Sequence, residues 1–279
     1  MKIEKIDGLR IGACSWNYDS WMGLVYTEKK RTAAEYLREY SGHFNTVEID
    51  SWFYKIPERA EVLSYLENVD RDFVFTCKVP ERITLTHDRR TKARNPDFLS
   101  RELFETCLDR ISPMAGQIGA VLFEFEYLNK EKMTSLDSFL ERLHMFFRDI
   151  ACEFPLAIEP RNANFLQGKY FSFLKEHGLS HVFSEKIYMP PIQEVYEKCK
   201  GDLKDPVILR LLGGDRKAIE EKTNSQWNSI VEPKESKREI SRMTKDLKYD
   251  GRSVIINVNN HFEGSAPLTI ESLTRMLKD

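Results

Sequence analysis

Eight short apolar runs, at residues 9–14, 46–49, 73–79, 119–125, 156–159, 181–183, 207–211 and 253–258, have the length and composition of buried strands. Between them lie stretches with apolar residues at helical spacing, at 32–40, 58–68, 97–111, 130–148, 165–177, 193–200, 234–248 and 268–278. Strand and helix therefore alternate along the chain, the pattern of a parallel sheet built through helical crossovers. Eight such units predict one domain over residues 1–279, folded as a closed parallel (β/α)8 TIM barrel. A doubly wound open sheet would usually need fewer strands and a Gly-rich first turn, and GACSWN after the first run holds no G-x-G-x-x-G. No internal repeat, low-complexity tract or Pro- or Ser-rich linker interrupts the pattern. The charged segment 215–250 is either a long loop plus helix over the barrel mouth or a solvated outer helix.

In a barrel, side chains alternate between the central core and the layer under the helices, and the reactive end is where the strands finish. In FNTVEIDSWFYKIP, Thr46, Glu48 and Asp50 share one face and Val47 and Ile49 the other. If Val47 and Ile49 pack under helices, Glu48 points inward. The same sieve turns Lys78 inward opposite Phe73 and Phe75, Glu124 and Glu126 inward from Val121, Phe123 and Phe125, and Glu159 inward from Leu156 and Ile158, with Arg161 on the same parity. Arg210 stands within Val207–Leu211 among aliphatic neighbours, where a guanidinium needs carboxylate or phosphate partners. The last strand adds Asn257 and Asn259. Each of these residues taken singly fits a structural ion-pair network as well as a site. Taken as a set they point to a site at one mouth, because such a network without a ligand gains little over an apolar core.

The loops add aromatic surface: Trp16, Tyr18, Trp21 and Tyr26 after the first strand, Trp52, Phe53 and Tyr54 after the second. These can stack a sugar or base, or form a hydrophobic lid. Lys78, Arg82, Arg89, Arg90, Lys92 and Arg94 make a basic loop, a candidate polyanion patch or a solvated loop. Gly213 and Gly214, with Gly264 and Ser265 in NVNNHFEGSAP, stand where barrels often bind a phosphate with backbone N–H groups. Of six histidines only His87 and His261 fall near the mouth, which argues against a histidine-ligated zinc cluster. Glu48, Glu124 and Glu159 are candidate ligands for Mg²⁺ or Mn²⁺, since oxygen donors suffice for those ions. No G-x-S-x-G occurs, and Cys14 has no evident histidine base.

Lys plus Arg 42 against Asp plus Glu 44 leaves a formal charge of −2, so no global attraction to nucleic acid or anionic lipid is built in. Five scattered cysteines without C-x-x-C spacing fit reduced thiols. With no apolar leader in MKIEKIDGLRIG and no run of about eighteen apolar residues, a cytoplasmic protein without a membrane partner is expected.

The segments GACSWNYDSW, FNTVEIDSWFYKIP, DFVFTCKVPERIT, GAVLFEF, LAIEPRN, VILRLLGGDR and VNNHFEG, in this order, resemble the YecE-like family of barrel proteins, a family of unknown function. The resemblance implies a TIM barrel and places emphasis on Glu48, Tyr54, Lys78, Glu159, Arg161, Arg210, Asn259 and Asn260. It departs in three places: Glu124 stands where that family tends to have glutamine, RLLGG lacks a histidine often found after the arginine, and EPRN replaces EFRH. Lost histidines weaken any inherited acid–base role there. The barrel is similar to those of apurinic endonucleases and sugar isomerases, which by itself licenses no function.

The leading expectation is an enzyme acting on a phosphorylated ligand, nucleic acid or sugar phosphate, with hydrolase and isomerase chemistry both open. Glu48, Lys78, Glu159 and Arg210 are the candidate catalytic residues. Trp16, Tyr18, Asp50, Tyr54, Glu124, Arg161, Asn259 and Asn260 are the candidate ligand contacts. The alternatives are a non-catalytic nucleic-acid or metabolite binder and a divalent-metal-dependent sugar isomerase.

Overall fold

The computed structural model describes residues 3–278. Strands β1 (Leu9–Cys14), β2 (Thr46–Ile49), β3 (Val74–Lys78), β4 (Ile118–Glu124), β5 (Leu156–Glu159), β6 (Ser180–Lys186), β7 (Val207–Gly213) and β8 (Val254–Val258) pair in parallel in chain order. Pairing of β1 with β8 closes the barrel. The outer ring contains α1 (Ala33–Ser41), α2 (Arg59–Leu66), α3 (Glu81–Thr84), α4 (Arg101–Ile111), α5 (Leu136–Phe147), α6 (Gly168–Glu176), α7 (Ile192–Cys199), α8 (Arg216–Thr223), α9 (Lys237–Tyr249) and α10 (Ala266–Lys278). All eight predicted strands and their helices are present. Among the described residues no helix is long and apolar enough to cross a membrane. The five cysteines are free thiols.

Three departures have local causes. β6 runs to Lys186 although its apolar run stops at Phe183, because its ladder with β7 continues through Ser184↔Arg210, Glu185↔Leu211 and Lys186↔Gly213. Backbone pairing, not hydrophobicity, sets its length. In 215–250 two helices form. The charged α8 begins on an Asp215 cap, whose carboxylate accepts from Lys217 N at 2.9 Å, and it lies against the 3-10 turn Asn260–Phe262. The amphipathic α9 buries Ile240, Met243 and Leu247. The short α3, inside DFVFTCKVPERIT, carries no helical period long enough to read.

The core has two shells. The larger lies between strands and helices, and the smaller fills the barrel with Ala120, Leu122, Ala157, Val182, Ile208 and Ile255. Above the small shell, toward the strand ends, inward positions turn polar: Glu48, Thr76, Lys78, Glu159, Ser184, Arg210 and Asn257 are all buried. The β1–β2 seam is sealed by side chains as well as by ladder bonds. A Cβ on Gly12 would sit 1.8 Å from the Thr46 carbonyl oxygen, so only glycine fits there. The Tyr40 hydroxyl accepts from Ala13 N at 2.7 Å and donates to Thr46 O at 3.0 Å, while the Asn45 amide bridges Ile11 N and Leu9 O. These side chains supply the partners that buried backbone groups require. The result holds Cys14 level with Glu48 at the mouth.

Candidate functional site

Arg210 organises the floor of the mouth. Its Nε and Nη2 donate to the two oxygens of Glu48, each at 2.7 Å, a bidentate pair. Its Nη1 donates to Glu124 Oε2 at 2.8 Å and to Glu159 Oε2. Lys78 pairs with Asp50, lies 3.2 Å from Glu124 Oε2 and 3.8 Å from Glu48 Oε1. Arg161 Nη2 reaches Glu124 Oε1 at 3.0 Å and Glu159 Oε1 at 2.8 Å. Ser184 donates to Glu159 at 2.6 Å, and Asn257 joins Thr76 at 2.8 Å. Strand register makes this convergence inevitable: Glu124 is level with Glu159, and Arg210 with both Ser184 and Asn257.

The electrostatics follow from the geometry. Burial opposes a charge on Glu124, but Lys78, Arg161 and Arg210 outweigh it and hold its carboxyl well below the usual range. Burial likewise opposes a charge on Lys78, and its carboxylate neighbours, Glu124 foremost, reverse the balance and raise its pKa. The Cys14 thiol is pushed well up by burial and then by Glu48, so it stays protonated rather than becoming a nucleophile.

Above this floor opens a cleft of about 540 Å³ lined by Glu124, Arg161 and Lys186 together with Tyr127, Ile187 and Tyr188. Lys186 differs from every other inward cation. It forms no salt bridge or side-chain hydrogen bond with a described residue. Burial and then the Arg161 charge lower its pKa. Arg161 Nη1 is also buried with no hydrogen-bond partner among the described residues. Sequence reasoning missed Lys186, although Val182, Ser184 and Lys186 share a parity that would have turned it inward. The signal was lost because the apolar run ends at Phe183.

The predicted residues sort into three places. Glu48, Lys78, Glu124, Glu159, Arg161 and Arg210 come together, with Asp50 at the rim. Tyr18 is half-buried beside them; burial and then Asp50 raise its phenol pKa. Among the described residues, the remaining ligand candidates, Trp16, Tyr54, Asn259 and Asn260, make no side-chain ion pair or hydrogen bond with this set. Trp16 is a core residue, 3% exposed, donating from Nε1 to Ala33 O at 2.7 Å and packed edge-on against Tyr65, so it offers no ring to a ligand. Trp21, Tyr26, Trp52 and Phe53 are buried too. Tyr54 is 64% exposed, packed edge-on against Phe53. Asn259 is engaged with His261 in its own turn. Asn260 is 2% exposed, and its amide oxygen accepts from Trp21 Nε1 at 3.3 Å and Ala266 N at 2.9 Å, tying the first loop to the start of α10.

Other expectations are corrected by the same contacts. Glu126 turns away from the floor to accept from Thr86 and pair with Lys132, because the chain has left strand geometry after Glu124. Gly213 and Gly264 serve close packing: an added Cβ would lie 2.2 Å from His261 O and 2.6 Å from Ser229 O respectively, and Gly264 N already donates to Asn260 O. The first turn of α10 is buried, and its Ala266 N already donates to the Asn260 amide oxygen at 2.9 Å. In the basic loop, Arg82 and Arg89 are paired with Asp97 and Glu81.

The three candidate metal-ligating carboxylates do not fit a resident divalent ion. Every oxygen of Glu48, Glu124 and Glu159 accepts from Arg210, Lys78, Arg161, Ser184 or Asn257, and three cations surround them. Among the described residues no group of three or more His, Cys, Asp or Glu side chains is arranged to hold a metal ion.

The model of the family described as "Protein of unknown function DUF72" matches residues 10–279. The chain belongs to the DUF72 family. Its resemblance to YecE-like proteins has the same source: the UPF0759 protein YecE of Escherichia coli (strain K12) is 30% identical over 155 residues, 56% of this chain and 49% of YecE. The chain thus spans about half the length of the curated relatives it matches. A crystal structure of a DUF72 protein from Enterococcus faecalis V583 superposes with a TM-score of 0.69 at 21% identity, covering 97% of this chain and 96% of that one. One from Thermotoga maritima MSB8 gives 0.69 at 18% identity, covering 97% and 99%. A D-tagatose 3-epimerase-like protein gives 0.55 at 13% identity, covering 96% and 97%. These likenesses show a shared TIM-barrel fold.

Proposed function

We propose that this DUF72 protein is an enzyme acting on a small phosphorylated or similarly anionic molecule at the C-terminal mouth of its barrel. The observation that carries the reading is the pair of unpartnered cationic groups, Arg161 Nη1 and Lys186 Nζ, on a single cleft. An unpaired buried donor such as Arg161 Nη1 is costly, and an anionic oxygen is the partner that both it and the half-buried Lys186 lack. The role of holding the anion therefore moves from Lys78 and Arg210, which carboxylates already occupy, to Arg161 and Lys186. A volume of about 540 Å³ suits a molecule of sugar-phosphate size. The buried charges beneath it form the fixed polar environment that favours charge development in a reaction.

Calorimetric titration with inorganic phosphate and with a series of sugar phosphates tests the reading. Binding is expected, with loss of about tenfold or more in affinity in Arg161→Met and Lys186→Met, the equivalent of about 1.4 kcal/mol for one charge-assisted hydrogen bond. Absence of binding, or binding indifferent to both substitutions, overturns it. Chromatography of the recovered sugar phosphates decides between enzyme and binder: recovery of every ligand unaltered favours a binding protein.

A further inference from the structure

Lys186 has a second property beyond its charge. It ends β6 in a backbone fixed by the Lys186↔Gly213 register and by Ile187 N donating to Gly213 O at 3.1 Å. Its side chain shares the cleft wall with Ile187, Tyr188 and Met189, an apolar rim, and with Glu124 and Arg161 on the polar side. Lys78, by contrast, is tied to Asp50, Glu124 and Glu48 and has no lone pair to offer.

The paired set at the mouth comprises four carboxylates, Glu48, Asp50, Glu124 and Glu159, and three cations, Lys78, Arg161 and Arg210. It is thus one positive charge short whenever Lys186 gives up its proton. An amine so placed, with no carboxylate clamping it as ammonium, is suited to attack a carbonyl carbon and to become the missing cation afterwards.

We propose that Lys186 forms a covalent imine with a carbonyl group of the anionic molecule bound in this cleft. The inference rests on the anion-site reading for the placement of that molecule. In the step, the Lys186 nitrogen lone pair forms the N–C bond while the carbonyl π pair moves to oxygen. One N–H proton leaves and the oxygen gains one through solvent, giving a carbinolamine. Protonation of the hydroxyl and its departure as water leave the protonated imine, so amine, carbonyl and one proton become iminium and water. Glu124 faces the new positive charge; held ionised by its cationic neighbours, it acts by electrostatics rather than as a proton donor. Burial and the Arg161 charge, which lower the Lys186 pKa, enlarge the free-amine fraction that starts the step. The ligand class is thereby narrowed to aldehydes and ketones that carry an anionic group.

The test uses the full chain, two aldehydes and sodium borohydride, which delivers hydride to a C=N bond and fixes an imine as a secondary amine. Pyridoxal 5′-phosphate carries a phosphate and glyceraldehyde does not. With each, peptide mapping is expected to find Lys186 modified faster than Lys169 and Lys217, although those side chains are 64% and 86% exposed. Lys186→Arg, which keeps the charge, is expected to melt like the parent and to lose the fast adduct. Inorganic phosphate, held at Arg161 and Lys186, is expected to slow the Lys186 reaction with both aldehydes. If Lys186 reacts no faster than the exposed lysines with either aldehyde, or the fast adduct survives in Lys186→Arg, the imine is overturned. Phosphate binding by calorimetry without a Lys186 adduct overturns the imine and leaves the anion reading standing. A Lys186 adduct formed without phosphate protection supports the imine and removes the anion reading.

Discussion

Replacing Arg210 by methionine probes the buried network most directly. The substitution keeps side-chain bulk and removes two bonds to Glu48 at 2.7 Å, one to Glu124 at 2.8 Å and one to Glu159. Glu48 and Glu159 are 0% exposed, so neither can recover its loss from water. Glu48 keeps Asn257 at 3.5 Å and Lys78 at 3.8 Å, both poor substitutes. Breaking a buried pair in this way costs about 3–5 kcal/mol, and a chain of this size loses about 2–4 °C in Tm per kcal/mol, so a fall of roughly 6–20 °C is expected.

The deficit also has a pH signature. In the parent, the folded pKa of Glu124 lies below its unfolded value, so its contribution is present above the unfolded pKa and is lost as pH falls through the depressed folded one. In Arg210→Met, Glu124 loses one of the three cations that hold its pKa down, so less of that contribution is present at neutral pH, while below the depressed value little is left to lose in either protein. The gap between the two proteins should be widest at neutral pH and narrow on acidification. Urea unfolding followed by circular dichroism at several pH values reads it. A gap under about 1 kcal/mol that does not change with pH would refute the reasoning, since it would mean that no ionised carboxylate depends on Arg210.

Two further outcomes test other parts of the fold. Burial pushes His181 down to about 3, where its ring meets the Tyr170 hydroxyl at 3.1 Å, so between about pH 6.5 and 3 the unfolded chain binds a proton that the fold refuses. His181→Phe should flatten the acid limb of the stability curve by up to about 1.4 kcal/mol per pH unit; an acid limb parallel to that of the parent would show that His181 does not titrate this way. Gly213 has φ +85°, and a Cβ there would lie 2.2 Å from His261 O, so Gly213→Ala should cost about 2 kcal/mol or more in chemical unfolding. Parent-like stability in that variant would show that β7 and the Asn260–Phe262 turn can part without penalty.

By itself the sequence determined the barrel and most of the floor of its mouth. Alternation of apolar runs with helical periods specifies β/α units, the two-residue period along each strand turned Glu48, Lys78, Glu124 and Glu159 to one side before any contact was known, and the aliphatic neighbours of Arg210 marked it as needing anionic partners. These are local regularities, so they are written locally. Only the tertiary structure decided what the converged groups do for one another. Arg210 is saturated by carboxylates from three strands, while Lys186, on a strand end that pairing rather than apolarity extends, is paired with none among the described residues. It also decided that Trp16 and Trp52 face the core and that Gly213 and Gly264 serve backbone packing. Burial and ion pairing depend on which distant strands and loops become neighbours, and that is settled when the barrel closes.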